Sequence, residues 1–208
     1  MESWMSLLAI VAAISLGAMS PGPSFVMVVR TAVASSRRAA IFAALGMGVG
    51  GAAFATAAVL GLHIVLTTAP ALYLIVKVAG AAYLLYLAIM LWKGADRPIV
   101  VEGEAIESRR SRQKAFALGM ATQLSNPKTA IVYASIFTAF LSADRPAWLA
   151  AVLIPCVFVV EAGWYAIVAI AFSSEIPRRN YLRCKRWIDR AAGAVMGLLA
   201  VRLVADAR

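Results

Sequence analysis

The chain has 208 residues, of which 62% are apolar and 14% are charged, and its formal net charge is +10. Soluble domains are about 45–50% apolar and about 25% charged, so this composition excludes an ordinary water-soluble fold, and also disordered, collagen-like and disulfide-rich chains. The two cysteines, Cys156 and Cys184, lie in different segments and match no disulfide or metal-binding pattern. We therefore predict a polytopic membrane protein with no cofactor and no metal.

Six apolar stretches approach or exceed the roughly 20 residues that a helix needs to cross a bilayer. In chain order they cover about 4–29, 40–66, 70–92, 115–141, 147–172 and 188–205. Backbone groups in lipid must be paired internally, and these stretches lack the alternation of barrel strands, so we predict six transmembrane helices in an all-α fold. The first stretch has no positively charged leader or cleavage pattern, and we expect it to be retained.

The basic residues are distributed unevenly between the loops. The loops that follow the first, third and fifth predicted spans hold 3, 6 and 6 Lys or Arg residues. The loop after the fourth span and the C-terminus together hold only 3. The positive-inside rule places the first group of loops in the cytoplasm and both termini on the outer side. Topology and anionic lipid account for the net charge, so no nucleic-acid partner is predicted.

The polar segment 93–114, predicted to be a cytoplasmic loop, separates two units of three helices, residues 1–92 and 115–208. Because three is odd, the second unit enters the membrane from the opposite side, which gives the inverted repeat found in many secondary transporters. The first helix of each unit is interrupted inside its apolar stretch. The interruptions read Ser20-Pro21-Gly22-Pro23 and Ser125-Asn126-Pro127-Lys128.

Both interruptions have the chemistry of a helix start. Ser20 and Asn126 are good N-cap residues, and Pro21 and Pro127 follow at the position that tolerates a missing N–H. We therefore predict that a half-helix begins in mid-membrane at each break, with the two positive dipole ends facing an anionic group such as a carboxylate. The alternative is a pair of proline kinks that serve packing alone.

Ionisable residues inside a predicted span are candidates for a functional role, because a charge at the bilayer centre costs about 2.5–3.5 kcal/mol on insertion scales. Glu161 lies midway along span 5, Lys128 lies beside the second break, and Lys77 lies in the outer third of span 3. The alternative for Glu161 is a structural ion pair with one of these lysines. The alternative for Lys77 is snorkelling to the outer interface.

Several motifs occur in order along nearly the whole chain: Ser20-Pro21-Gly22-Pro23 followed by an apolar stretch to Arg30, Arg37-Arg38, Gly46-x-Gly48, the segment 77–87 beginning Lys77-x-x-Gly80, and Asn126-Pro127-Lys128. This ordered set resembles the LysE/RhtB family of amino acid exporters. The resemblance implies proton-driven export of amino acids or close derivatives across the inner membrane. For a protein of that membrane, the charge distribution described above predicts that both termini are periplasmic. Two positions depart from it: the family often has an acidic or amide side chain where this chain has Ser24, and a glycine where it has Ala40.

A substrate site is predicted around the two breaks. An amino acid is a zwitterion, so both of its charges need partners. Its carboxylate would accept hydrogen bonds from the free N–H groups at the start of each half-helix, near Lys128 or Lys77, and its ammonium would bind Glu161. Glu161 would also exchange a proton for substrate and so couple export to inward proton flow. The predicted partners are an amino acid, protons and the lipid bilayer. The predicted site residues are Ser20, Pro21, Gly22, Pro23, Lys77, Asn126, Pro127, Lys128 and Glu161.

Two other classes of function compete with a transporter. A membrane-embedded enzyme would need a nucleophile–base pair or a metal cluster, and the sequence has one histidine, no H-E-x-x-H motif and no paired carboxylates, so we predict no enzymatic activity. A non-transporting subunit or assembly factor stays open as the alternative. Gly46-x-x-x-Gly50 and Gly193-x-x-x-Gly197 predict close helix packing, either within the chain or in a homodimer.

Overall fold

The computed structural model describes residues 2–68, 70–96, 112–141 and 146–205, with side chains described except in 2, 62–68, 70–74, 76–77 and 175–182. Within these ranges the chain is all helical and contains no strand, which confirms the predicted class. The helices are α1 (Glu2–Met19), α2 (Pro23–Ala34), α3 (Arg37–Thr68), α4 (Pro70–Gly94), α5 (Arg112–Leu124), α6 (Pro127–Phe140), α7 (Ala147–Phe172) and α8 (Glu175–Ala205).

Both predicted interruptions are ends of helices. The first predicted span consists of α1 and α2, which meet at a bend of 55°, and the fourth consists of α5 and α6. By length and composition, Arg37–Gly61 of α3 and Ala147–Phe172 of α7 can each cross a membrane, and α1 with α2 qualifies as a third, bent span. Val78–Gly94 of α4 is a shorter apolar helix.

The last helix extends beyond the sixth predicted span. α8 starts at Glu175, 13 residues before the predicted start of that span, and runs for 31 residues, so most of the loop predicted between the fifth and sixth spans is helical. Arg and Lys are good helix formers, and Pro177 falls in the first turn, where its missing N–H breaks no bond. Hydropathy finds apolar helices and therefore misses a polar extension such as this one. The predicted 93–114 loop lies mostly outside the described residues, which resume at α5.

Two apolar clusters divide the core along the length of the bundle. The larger cluster joins α1 and α6 with the first half of α7 and parts of α3, α4 and α8, and it includes Ile10, Ile14, Ile136, Leu153 and Val157. The smaller cluster joins α2 with the first part of α3 and the last part of α7, and it includes Phe25, Val28, Met47, Tyr165 and Phe172. Glu161 lies on α7 between the stretches that enter the two clusters.

Glycines on α3 permit very close packing on two sides. A methyl group on Gly46 would collide with the backbone of α5 at Phe116, and one on Gly119 of α5 would collide with the α3 backbone at Ala43. On the other side, a methyl on Gly48 would lie 2.7 Å from the Cβ atom of Ala162 on α7. Gly46-x-x-x-Gly50 is thus confirmed as a packing motif within the chain.

A buried lysine fastens α8 to the end of α4. Lys185 Nζ donates to the carbonyl oxygens of Gly94 at 3.0 Å and Ala95 at 3.3 Å, and to Asp189 Oδ2 at 2.6 Å. A cation is favoured at the carboxyl end of a helix, where carbonyl groups lack helical partners. Asp189 is also buried, so the lysine neutralises a carboxylate that water does not reach.

We predict that Lys185→Ala lowers the unfolding free energy in detergent by about 3 kcal/mol, because it strands a buried carboxylate. Thermal unfolding monitored by helical circular dichroism measures the change. The matched control is Arg186→Ala, which removes the ion pair with Asp96. Both of those side chains are more than half exposed, so the control should cost about 0–1 kcal/mol. Equal losses in the two variants would contradict the assignment.

Candidate functional site

The first break ends two residues later than predicted. Ser20 and Pro21 do not start a helix; α2 begins at Pro23, with Gly22 as its N-cap residue in an extended conformation. A residue that precedes proline is disfavoured in the helical region, so Pro23 keeps Gly22 extended and delays the helix. The carbonyl of Gly22 accepts the first helical bond, from Val26 N at 2.9 Å. Among the described residues, no side chain caps α2.

The second break agrees with the prediction. Asn126 is the N-cap residue of α6, and Pro127 occupies the first helical position. The Oδ1 atom of Asn126 accepts from Lys128 N at 3.0 Å. The sequence signal was sharper here because a single proline follows an amide that can cap.

A buried polar bridge joins α2 to the second break. Ser24 Oγ donates to Gln123 Oε1 at 2.7 Å and accepts from Asn126 Nδ2 at 2.9 Å. All three residues are at least 95% buried. Ser24, where the chain departs from the family pattern, is thus a contact between residues almost 100 positions apart.

Lys128 forms a second bridge, from α6 back to α1. Its Nζ atom donates to Ser20 Oγ at 2.6 Å, to Ser20 O at 3.0 Å and to Gly17 O at 3.3 Å. The ammonium therefore lies at the carboxyl end of α1, where the helix dipole and the unpaired carbonyls favour a cation. Lys128 and Glu161 do not form a salt bridge in the described part of the chain.

Glu161 is 3% exposed and faces α6. Its Oε1 atom accepts from Tyr133 OH at 2.8 Å, and the Gln123 side chain lies close to the same carboxylate. Oε2 has no hydrogen-bond partner among the described residues. A buried carboxylate with an open acceptor position is costly, and such groups concentrate at functional sites.

These bridges surround one small cavity between the two apolar clusters. Its lining includes Gly17 of α1, Ser20 and Gly22 of the first break, Ser24 of α2 and Glu161 of α7. The second break contributes Asn126, and α6 contributes Lys128, Thr129, Val132 and Tyr133. The cavity volume is about 20 Å³, enough for about one water molecule and too small for an amino acid.

Five of the nine predicted site residues line this cavity: Ser20, Gly22, Asn126, Lys128 and Glu161. Pro23 and Pro127 are the first residues of α2 and α6, and Pro21 lies between α1 and α2. Lys77 lies on α4, and its side chain is outside the described residues.

Three further residues contact this polar region and were not predicted from the sequence: Gln123, Tyr133 and Gly51. Tyr133 was detectable, because it lies seven residues after Asn126 and so shares a face of α6 with it. Gln123 was also detectable as an amide just before the second break. Gly51 packs against the site from α3: a methyl group there would lie 2.9 Å from Glu161 Cγ and 3.0 Å from Tyr133 OH.

Comparison with known proteins assigns the family. The family described as LysE type translocator matches residues 15–207. The chain belongs to this family. It is 33% identical over 188 residues to the threonine efflux protein of Escherichia coli K12, covering 89% of this chain and 91% of that protein.

Two further relatives extend the comparison. The threonine efflux protein of Salmonella typhi is 32% identical over the same shares of the two chains. The uncharacterized membrane protein YahN of E. coli K12 is 30% identical, over 89% of this chain and 82% of that protein. No solved structure matches the chain. As a LysE translocator with membrane-type helices, the chain is a membrane protein.

We predict that Gly51→Ala destabilises this translocator by about 1–3 kcal/mol, since the added methyl displaces Glu161 or Tyr133 from a packed position. Thermal unfolding in detergent measures the effect. Gly163→Ala, two residues from Glu161, is the matched control, because a methyl there meets nothing within 4 Å. The control should be neutral or slightly stabilising. A neutral Gly51→Ala would mean that the glycine does not fix the carboxylate.

Proposed function

We propose that the chain is a secondary transporter of the inner membrane that exports threonine or amino acids of similar size, driven by proton influx. The observation that carries the proposal is the cavity between the two helix breaks, which is lined by one carboxylate, Glu161, and one ammonium, Lys128. Opposite charges across one cavity suit a zwitterion. Membership of the LysE translocators and similarity to proteins named for threonine efflux support the substrate class.

In the proposed complex the substrate ammonium binds Glu161, whose Oε2 atom has an open acceptor position among the described residues. The substrate carboxylate binds Lys128 and the start of α2, which no side chain in the described part of the chain caps. This differs from the prediction made from sequence in one respect. Asn126 already caps α6, so the carboxylate is assigned to the start of α2 and not to both half-helix starts.

Proton coupling follows from competition for one buried carboxylate. Glu161 has lost its hydration, so its negative charge is stable only when a proton or another cation balances it. Substrate ammonium binds from the cytoplasm as the proton leaves toward the cytoplasm. On the other side, the substrate leaves Glu161 toward the periplasm, and a proton from the periplasm replaces it. Each cycle thus moves one substrate outward and at least one proton inward.

We further propose that the helices form two inverted units, residues 1–92 and 115–208, with six spans and both termini periplasmic. Three features support this. In the two units α1 corresponds to α5, α2 to α6, α3 to α7 and α4 to α8. The corresponding helices α3 and α7 pack on each other, as do α4 and α8, and the half-helices pack crosswise, α1 on α6 and α2 on α5. Gly22-Pro23 and Asn126-Pro127 are equivalent helix starts. The next residue of each, Ser24 or Lys128, bonds to the end of the first half-helix of the other unit.

The decisive test uses purified chain in vesicles with an imposed pH gradient. We expect threonine counterflow, and export that is driven by the gradient. Glu161→Gln keeps the size of the side chain but removes its charge, so gradient-driven export should fall at least 100-fold at an unchanged protein level. Asp96→Asn, an exposed acid outside the cavity, is the control and should export normally. An inert wild-type chain would favour a non-transporting subunit.

The orientation is tested separately with topology reporters. Basic residues concentrate in the loops that follow the first, third and fifth spans, and such loops face the cytoplasm. A reporter fused after Arg208 should therefore behave as periplasmic, and one inserted within 99–107 as cytoplasmic. Alkaline phosphatase and a fluorescent protein that folds only in the cytoplasm give complementary signals. The reverse pattern would contradict the proposed topology while leaving the transport assay unaffected.

A further inference from the structure

Two separate sets of hydrogen bonds close the cavity, and each joins the two units. The first, here called the outer latch, is Lys128 Nζ bound to Ser20 and to Gly17 O. The second, the inner latch, is Ser24 Oγ bound to Gln123 and Asn126. In both, a residue at the start of one unit's second half-helix holds the end of the other unit's first half-helix.

The latches belong to different halves of the bundle. The outer latch joins α6 to α1, whose apolar side chains enter the larger cluster. The inner latch joins α2, whose apolar side chains enter the smaller cluster, to the break that follows α5. In the proposed orientation α1 and α6 reach the periplasm, whereas α2 and α5 reach the cytoplasm. To open the cavity on one side, the helices of that pair must separate.

We propose that Lys128 and Ser24 are positioning residues that control access to the cavity from opposite sides of the membrane, Lys128 holding the periplasmic side closed and Ser24 the cytoplasmic side. The inference rests on the proposed function, because it takes alternating access to one site as given. It goes beyond that function by assigning each side of the pathway to a named set of bonds.

The outer latch also links substrate binding to the direction of opening. An ammonium group has three N–H donors, and those of Lys128 meet three acceptors, two on Ser20 and one on Gly17. A substrate carboxylate that binds Lys128 must therefore replace at least one of these bonds. Binding from the cytoplasm then loosens α6 from α1 and favours opening to the periplasm, which is the direction of export.

The test measures the exposure of a buried reporter on each side. Cys156 and Cys184 are free thiols, one of them exposed, so both are first replaced by serine. Ile10→Cys reports on α1 and Val28→Cys on α2; both native side chains are fully buried, and neither lines the cavity. A membrane-impermeant maleimide is added to right-side-out or inside-out vesicles, without substrate and without a pH gradient.

The two latch variants should act on opposite reporters. Ser24→Ala removes buried hydrogen bonds and should speed labelling of Val28→Cys from the cytoplasmic face about five- to tenfold, with Ile10→Cys unchanged. Lys128→Met removes charge-assisted bonds and should speed labelling of Ile10→Cys from the periplasmic face roughly tenfold or more, with Val28→Cys unchanged. Threonine should speed Ile10→Cys labelling when Lys128 is present and not in Lys128→Met.

The matched control is Ser135→Ala. Ser135 is as buried as Ser24, but its hydroxyl bonds to Ile131 O within its own helix, so neither reporter should change. If each latch variant exposes both reporters, or neither, or the wrong one, the proposal is overturned. Labelling needs no transport, so these outcomes are independent of threonine counterflow. Absent counterflow with side-specific labelling would instead contradict the proposed function and leave the latches standing.

Discussion

Breaking two helices in the middle of an apolar bundle is the constraint on which the rest of this structure depends. Each break leaves carbonyl groups at the end of one half-helix and N–H groups at the start of the next, and each such group costs several kcal/mol if no partner reaches it. At the end of α1 the partner comes from the opposite break, because Lys128 donates to the carbonyls of Gly17 and Ser20. At the start of α6 the partner is local, because Asn126 caps the N–H of Lys128, while the side chains of Ser24, Gln123 and Asn126 bond to one another. Polar chemistry in the interior is therefore a consequence of the breaks.

Close helix packing around the buried polar side chains of the two breaks fixes the position of Glu161. Gly46 and Gly119 bring α3 and α5 into backbone contact. Gly51 lets α3 pack closely against the side chains of Glu161 and Tyr133. Without these glycines, α3 would be pushed away from α5 and α7 by the width of a side chain. The same glycine stretch thus fixes the break after α5 and the acid on α7 relative to each other.

The sequence predicted the helical class, both breaks and five residues of the cavity, because prolines and intramembrane charges are local signals. Two of its local predictions were wrong for local reasons. Pro23 moved the start of α2 past Ser20, and the polar first half of α8 escaped a search for apolar stretches. The contacts of Gly51 depend on which helices meet, and one sequence does not contain that information. The bridge from Ser24 to Asn126 was hidden for the same reason, since it joins residues 102 positions apart.

Under the proposed function, the unequal bonding of the two buried charges explains why the site would bind a zwitterion in preference to a simple ion. Lys128 has its three donors engaged, whereas one oxygen of Glu161 lacks a partner among the described residues. A lone cation could satisfy that oxygen but would leave the Lys128 bonds, and so the α1–α6 contact, intact. A lone anion would compete for Lys128 but would meet the uncompensated carboxylate of Glu161 nearby. Only a ligand with both charges pairs with the open oxygen and replaces a lysine bond in one event, so in the proposed mechanism substrate binding and opening toward the periplasm are the same step.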